Sequence, residues 1–541
     1  MPVTYDAVIV GGGHNGLVAA ACLGKAGLKT LVLERMGRLG GAVAASEIAP
    51  GFRCPALAHR ASLHPMVLRA LELERHGLQI VRPEAQVCAP TRGGRALTLW
   101  SDRTRATNEV AAFSPRDADR YPLFLASVAA IGSVLDTVLS SPPPLIDKPG
   151  LGDLVTAIKA GRAFRSLAKP DAYRLLRWLT MPVQDLVGEW FESEPLSVAL
   201  AATGTFGAFL GPRSAGSGAQ LLLLGAGETG PFAPGWIVRG GMSALADALE
   251  AAAHHAGVET RTNSDVREIV VREGSAAAVV LANGDEFAAR YVVSCADPKR
   301  TLLGLVDPVH LGPETIRRTQ NIRMRGTLAK VNYAVSGLPA FDGLSSLPVE
   351  SRRAALSGCV RLAEDLDTLE RAFDSARRGD IAESLWLELA IPSAVDESLA
   401  PPGQHVVSVY VQYAPFTLTG RTWDDERERL GDLTTRRIET FAPGFERSLI
   451  AREVITPLDL ERTYGLTGGH IFHGDLALDQ LVSARPFLGW TAYESPVRNL
   501  YVCGSGVHPG TGLDGRAGLL AARAVARAKR AIPSPTPARQ P

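Results

Sequence analysis

Residues 5–16 read YDAVIVGGGHNG, followed by LVAAACLGKAG (17–27) and TLVLE (30–34). YDAVIV is a short, β-branched apolar run, the pattern of a buried strand. Gly11, Gly13 and Gly16 then fall on G-x-G-x-x-G spacing. Each glycine meets a need: a tight turn, close backbone approach to a pyrophosphate, and close packing of helix on strand. The helix that opens near Gly13 turns its unpaired N–H groups and positive dipole end toward phosphate. Glu34 closes the second strand, where an acid accepts the ribose hydroxyls of an adenosine. Strand, glycines, helix, strand and acid in that order predict a dinucleotide fold. Gly11, Gly13, His14, Asn15, Gly16, Glu34 and Arg35 are its candidate contacts.

The residues after Glu34 choose the dinucleotide. RMGRLGGAV (35–43) carries Arg38, Gly40 and Gly41 as an R-x-G-G element. It resembles the large FAD family that includes amine oxidases and phytoene desaturases, in which this element continues the site along the pyrophosphate. FAD is therefore expected rather than NAD. Far along the chain, NLYVCGSGVHPGTGLDGRAGLLAA (499–522) gives an apolar strand, a glycine-dense turn and an Ala/Leu helix. In an open α/β sheet, ligands bind where such a strand opens onto a helix. The resemblance implies contacts from Gly504, Gly512 and Leu513 to the ribityl chain and flavin ring. It also implies backbone contact on the adenine side from the strand holding Val266.

A second match, GAGETG (225–230), follows LLLL. Pro231 and Pro234 come within four residues, so no long helix can start there. It is read as a loop, which leaves one dinucleotide fold. Residues 66–80 and 115–200 are helical in pattern, broken at SSPPPL (140–145) and Lys169-Pro170. Segments 326–337, 384–392 and 405–414 alternate apolar and polar residues, as a half-buried antiparallel sheet does. The fold class expected is α/β, a Rossmann-type FAD-binding domain discontinuous in sequence with an α+β substrate domain. The FAD-binding domain takes 1–75, 231–300 and 487–541. The substrate domain takes 76–230 and 301–486, with its helical segment at 115–200 and its sheet at about 326–415.

The bulk properties of this 541-residue chain exclude more than they assign. A formal net charge of +1 argues against a nucleic-acid partner. The six cysteines show neither C-x-x-C nor zinc spacing, and read as reduced thiols. No stretch approaches roughly 18 uninterrupted apolar residues, and the first strand starts too early for a signal peptide. A cytoplasmic address is expected. The basic amphipathic run 154–181 reads first as a solvated helical face and second as a peripheral membrane contact. Self-association into a homo-oligomer stays open.

Beyond the FAD motifs lie EWFESEPL (189–196), LAPPGQHVVS (399–408) and DLERTYGLTGGHIFH (459–473). With AVIVGGGHNGLVAA (7–20) and LYVCGSGVHPGTG (500–512), they make the chain similar, almost end to end, to the family of pyridine nucleotide-disulfide oxidoreductase domain-containing protein 2. That family is a branch of the carotenoid/phytoene-desaturase-like flavoproteins. Thr511 departs from the family's usual PGGG. The resemblance implies an FAD-dependent oxidoreductase, with a dehydrogenase or desaturase acting on a small apolar, isoprenoid-like substrate as the first reading. An amine oxidase-like enzyme is the second, and a flavin-binding regulatory protein without turnover the third. Oxygen or a quinone is expected as electron acceptor ahead of NAD(P). His508, His470 and His473 are the catalytic candidates. His470 and His473 lack a third ligand, so no metal is expected.

Overall fold

A computed structural model describes residues 4–91, 94–146, 149–226, 232, 235–345, 347–490 and 493–531. Strand Thr4–Val10 lies inside a parallel sheet in the order 500–502, 286–294, 4–10, 30–33, 259–261. The Glu286–Ser294 strand shares its outer edge. Its first residues pair antiparallel with Ser275–Leu281, and its last pair with Leu500–Val502. Val266–Arg272 extends the sheet beyond Ser275–Leu281 through a turn at Glu273 and Gly274, both at positive φ. Three chain segments distant in sequence thus build one sheet. Helix His14–Lys25 packs between Met242–His255 and Arg516–Ala531, and one apolar core joins all three to the strands.

A second sheet runs 449–455, 328–335, 405–412, 386–390, 359–362, 85–90, 96–100. It reaches beyond the expected 326–415, and the pair 359–362 with 85–90 is parallel. The half-buried reading needs correction, because every residue of Leu328–Val335 and His405–Gln412 is buried. One face carries Val331, Tyr333, Val407 and Val409 into a core shared with Leu430 and Ile438 of helix Trp423–Phe441. The other turns Lys330, Asn332, Ser408 and Gln412 inward, where each bonds to protein groups. Asn332 Nδ2 donates to Pro55 O at 3.1 Å, and Gln412 Nε2 donates to Thr205 O at 2.8 Å. Alternation marks two different faces. It does not say that one of them is wet.

Helices Pro115–Leu139, Leu151–Arg165, Lys169–Trp178, Val183–Gly188, Glu194–Thr205 and Ser217–Gly225 form the helical layer. By length and composition, Pro115–Leu139 is apolar enough to cross a membrane, which amends the expectation of no such stretch. One face of it packs against protein: Tyr121, Phe124, Val128 and Ile131 are core residues, and Asp136 pairs with His64 and Arg516. The LLLL run before GAGETG lies in helix Ser217–Gly225, not in a strand. Most of that motif, both prolines after it, and the SPTPARQP tail lie outside the described residues. All six cysteines are free thiols.

Candidate flavin and substrate cavity

The glycine loop is built by close approach. Gly11 has φ +97°, and a Cβ on Gly16 would stand 2.1 Å from Gly11 O. At Gly13 the nearest atom to such a Cβ is Cys295 Sγ at 3.7 Å, so this side is open to a ligand. Glu34 is buried and accepts from Gly12 N at 2.8 Å and Met36 N at 2.9 Å. Each carboxylate oxygen keeps acceptor capacity for a ribose hydroxyl. Gly40 N donates to Gly12 O at 2.9 Å, and Gly41 sits on Gly13, so the R-x-G-G turn is stacked on the loop. Arg38 is exposed and gives its guanidinium to Ala45 O, off the cavity.

The two ends of the chain are tied together here. His14 Nε2 lies 3.3 Å from Gly512 O, and Asn15 Oδ1 accepts from Gly518 N at 3.3 Å. One cavity is lined by Gly11, Gly13, His14, Asn15, Glu34, Arg35, Gly41, Val266, Gly504, Gly512 and Leu513. Gly16, Arg38 and Gly40 lie outside that lining, and the two glycines act through packing. Thr511 also lines it, but its hydroxyl is spent on the Asp514 carboxylate, itself held by Arg516 Nε at 3.0 Å. An open glycine cradle, a buried acid at the ribose position and a second glycine turn opposite fit an elongated dinucleotide.

Of the three histidines, only His473 lines the cavity. It is half-buried at φ +54°, its Nδ1 buried without a partner, and desolvation holds its pKa down to about 4. His470 is turned away: its Nδ1 accepts from Phe472 N and its Nε2 stands 3.2 Å from Asp475. His508 is fully buried off the cavity, and burial followed by the Arg516 charge lowers its pKa to about 4. Neither lines the cavity.

The cavity continues onto residues that sequence reasoning missed. Leu57, Phe206, Leu223, Phe232, Trp236 and Ile471 supply apolar wall. The second sheet supplies polar lining from Arg361, Glu388 and Tyr410, in a row that Lys330 continues behind the wall: Arg361 faces Glu388, Glu388 faces Tyr410, and Tyr410 faces Lys330 across adjacent strands. Arg361 Nε donates to Glu388 Oε2 at 2.8 Å, with both side chains buried. Lys330 Nζ donates to Leu57 O at 2.5 Å and lies 4.5 Å from the Tyr410 ring centre; burial lowers its pKa to about 7. His59 lies tilted against Tyr410 with ring centres 4.2 Å apart, and burial keeps its imidazole neutral. The sequence signal was a charge inside an apolar strand run, as in LAKVNYAV and WLELA, since a buried charge needs a purpose or a partner. His59, Cys359 and Glu388 lie close enough to share a cation. Arg361 already occupies Glu388, and the Arg60 and Lys330 charges nearby oppose a second cation.

A family model described as flavin containing amine oxidoreductase matches residues 186–526, and one for an NAD(P)-binding Rossmann-like domain matches 9–69. The chain is 37% identical to pyridine nucleotide-disulfide oxidoreductase domain-containing protein 2 of Rattus norvegicus, over 97% of this chain and 93% of that protein. It is 26% identical to the lycopene-forming phytoene desaturase of Pseudescherichia vulneris, over 94% and 96%. Among solved structures, wild-type putrescine oxidase bound to putrescine superposes with a TM-score of 0.59 at 15% identity, over 98% of this chain and 100% of that one. That likeness speaks to fold alone. Together the matches and the cavity show that this chain belongs to the flavin-containing amine oxidoreductase family, in the branch of pyridine nucleotide-disulfide oxidoreductase domain-containing protein 2, and is an FAD-dependent oxidoreductase.

Proposed function

We propose that this enzyme is a dehydrogenase or desaturase that removes hydride from a C–H bond of an apolar substrate. The observation that carries the reading is the wall of Leu57, Phe206, Leu223, Phe232, Trp236 and Ile471, in the same cavity as the flavin segments. FAD, when bound, supplies the hydride acceptor. The protein's own part is to hold an apolar chain against that acceptor and keep water out. An amine substrate is disfavoured, because a protonated amine would enter beside Arg60, whose charge has no carboxylate against it. The similarity to a phytoene desaturase supports the same reading. Oxygen or a quinone is the proposed electron acceptor; LLLL in a helix supports this by removing the strand that a second dinucleotide motif would need.

The test is anaerobic mixing of the flavin-loaded protein with unsaturated isoprenoid hydrocarbons and, separately, with primary amines. Bleaching of the flavin's visible absorption by the hydrocarbons, then recovery with oxygen or a quinone, is expected. Bleaching by amines alone would sink the proposal.

A peripheral membrane contact fits a lipid-borne substrate. Helix Leu151–Arg165 has no buried residue, and Leu151, Leu154, Val155 and Ile158 form one exposed stripe beside Lys159, Arg162 and Arg165. Within the basic run 154–181, Arg174 and Arg177 are instead taken by Asp171 and Glu189. The protein is expected to co-sediment with vesicles containing anionic phospholipid. L154E/I158E should weaken that at least ~10-fold, since each apolar side chain contributes about 1.5–3 kcal/mol on burial. Equal sedimentation of both proteins would place the contact elsewhere.

A further inference from the structure

Arg60 is a cavity charge with no carboxylate against it among the described residues. It is only 8% exposed and lines the cavity. Its Nη2 donates to Ser357 O at 3.0 Å, just before the interior strand 359–362 of the second sheet, while Nε and Nη1 have no partner. Arg361 nearby makes the contrast. It is as deeply buried, yet Nε binds Glu388, Nη1 binds Thr203 Oγ1 at 3.0 Å, and Nη2 binds Phe232 O at 2.9 Å. Glu388 is thereby spent on Arg361. The other groups nearby are Lys330, a cation or neutral, and the neutral His59.

A buried guanidinium with two unmet nitrogens carries a desolvation cost that an anion would offset. The glycine loop and the N-terminus of helix His14–Lys25, on the other sheet, would supply the donors for the FAD pyrophosphate. One spare positive charge among apolar walls balances one negative charge, which selects a carboxylate over a phosphate dianion. We propose that Arg60 anchors the carboxylate of a substrate whose remaining length is apolar, and so sets which carbon faces the flavin. This rests on reading the cavity as the site of an apolar substrate, and adds to it an acidic end.

The experiment measures binding of decanoate, 1-decanol and decylamine to the flavin-loaded protein by calorimetry, alongside the flavin's visible spectrum. Decanoate should bind at least ~30-fold more tightly than decanol, with decylamine weakest; truncating one partner of a buried charge pair typically has that effect or more. R60Q should erase the acid-over-alcohol preference, and R60K should keep part of it. Equal binding of acid and alcohol to the native protein overturns the proposal. So does a preference that survives in R60Q, or an R60Q change confined to the flavin's spectrum and potential. If R60Q does not fold, the native acid-to-alcohol ratio together with R60K decides. Failure of the hydride-transfer reading shows separately, as flavin that no apolar substrate reduces while the acid preference stands.

Discussion

G16A protein is expected to leave purification with little or no bound FAD. A single methyl at that position would sit 2.1 Å from Gly11 O and 3.3 Å from Cys295 Cβ. The first of these is backbone, so no rotamer change relieves it. Helix His14–Lys25 would have to lift from strand Thr4–Val10, carrying its N-terminal N–H groups away from the phosphates. Overpacking of this kind costs about 1–3 kcal/mol, and a contact with backbone lies at the upper end. That corresponds to roughly 100-fold in cofactor affinity. Absorbance of the purified protein, followed by titration with FAD, reads the loss directly. Full flavin occupancy in G16A would mean that the loop is not the pyrophosphate cradle. G13A offers a useful contrast: there the added methyl meets nothing nearer than 3.7 Å in the protein, so any loss must come from the ligand itself.

The second large effect is expected from R485M. Arg485 is 2% exposed and stitches two segments of the cavity together. Its nitrogens donate to the carbonyls of Phe472, Gly474, Asp475, Gln480 and Ser505. Burial lowers its pKa to about 10, so it stays charged at neutral pH. Methionine fills the stem but leaves these buried acceptors unmet, at about 1–3 kcal/mol for each one that water cannot reach. A net loss of about 3–5 kcal/mol is expected, read as a lower unfolding midpoint and early release of flavin fluorescence on heating. R485K should not restore it, because an ammonium cannot span the same set of carbonyls. An unshifted midpoint in R485M would show that the 472–480 and 504–506 segments hold together without it. The same guanidinium explains Gly510, whose Cβ would come 2.1 Å from Arg485 Nε. In the PGTG turn that glycine makes room for an arginine rather than for the flavin.

The positions read most surely from sequence were those where local geometry and chemistry coincide. Gly11, Gly13, Gly16 and Glu34 stand close together in the chain, so their spacing already carried the turn, the helix start and the ribose acid. The histidines were read less well. His508 and His473 both sit in or beside glycine-rich loops, yet one is packed off the cavity and the other lines it. A loop has no periodicity from which a side chain's direction can be inferred. The strands of the second sheet misled differently: their alternation was real, but both faces were buried.

Sequence by itself determined the dinucleotide fold, the choice of FAD and the family, because those rest on short-range order and on motifs. Only the tertiary structure could show the row Arg361, Glu388, Tyr410, Lys330, with Arg60 near one end and His59 tilted against Tyr410. These residues come from five separate segments, and none of them has a motif. What brings them together is strand register across a sheet, and register is set by long-range pairing and burial rather than by the residues next in line.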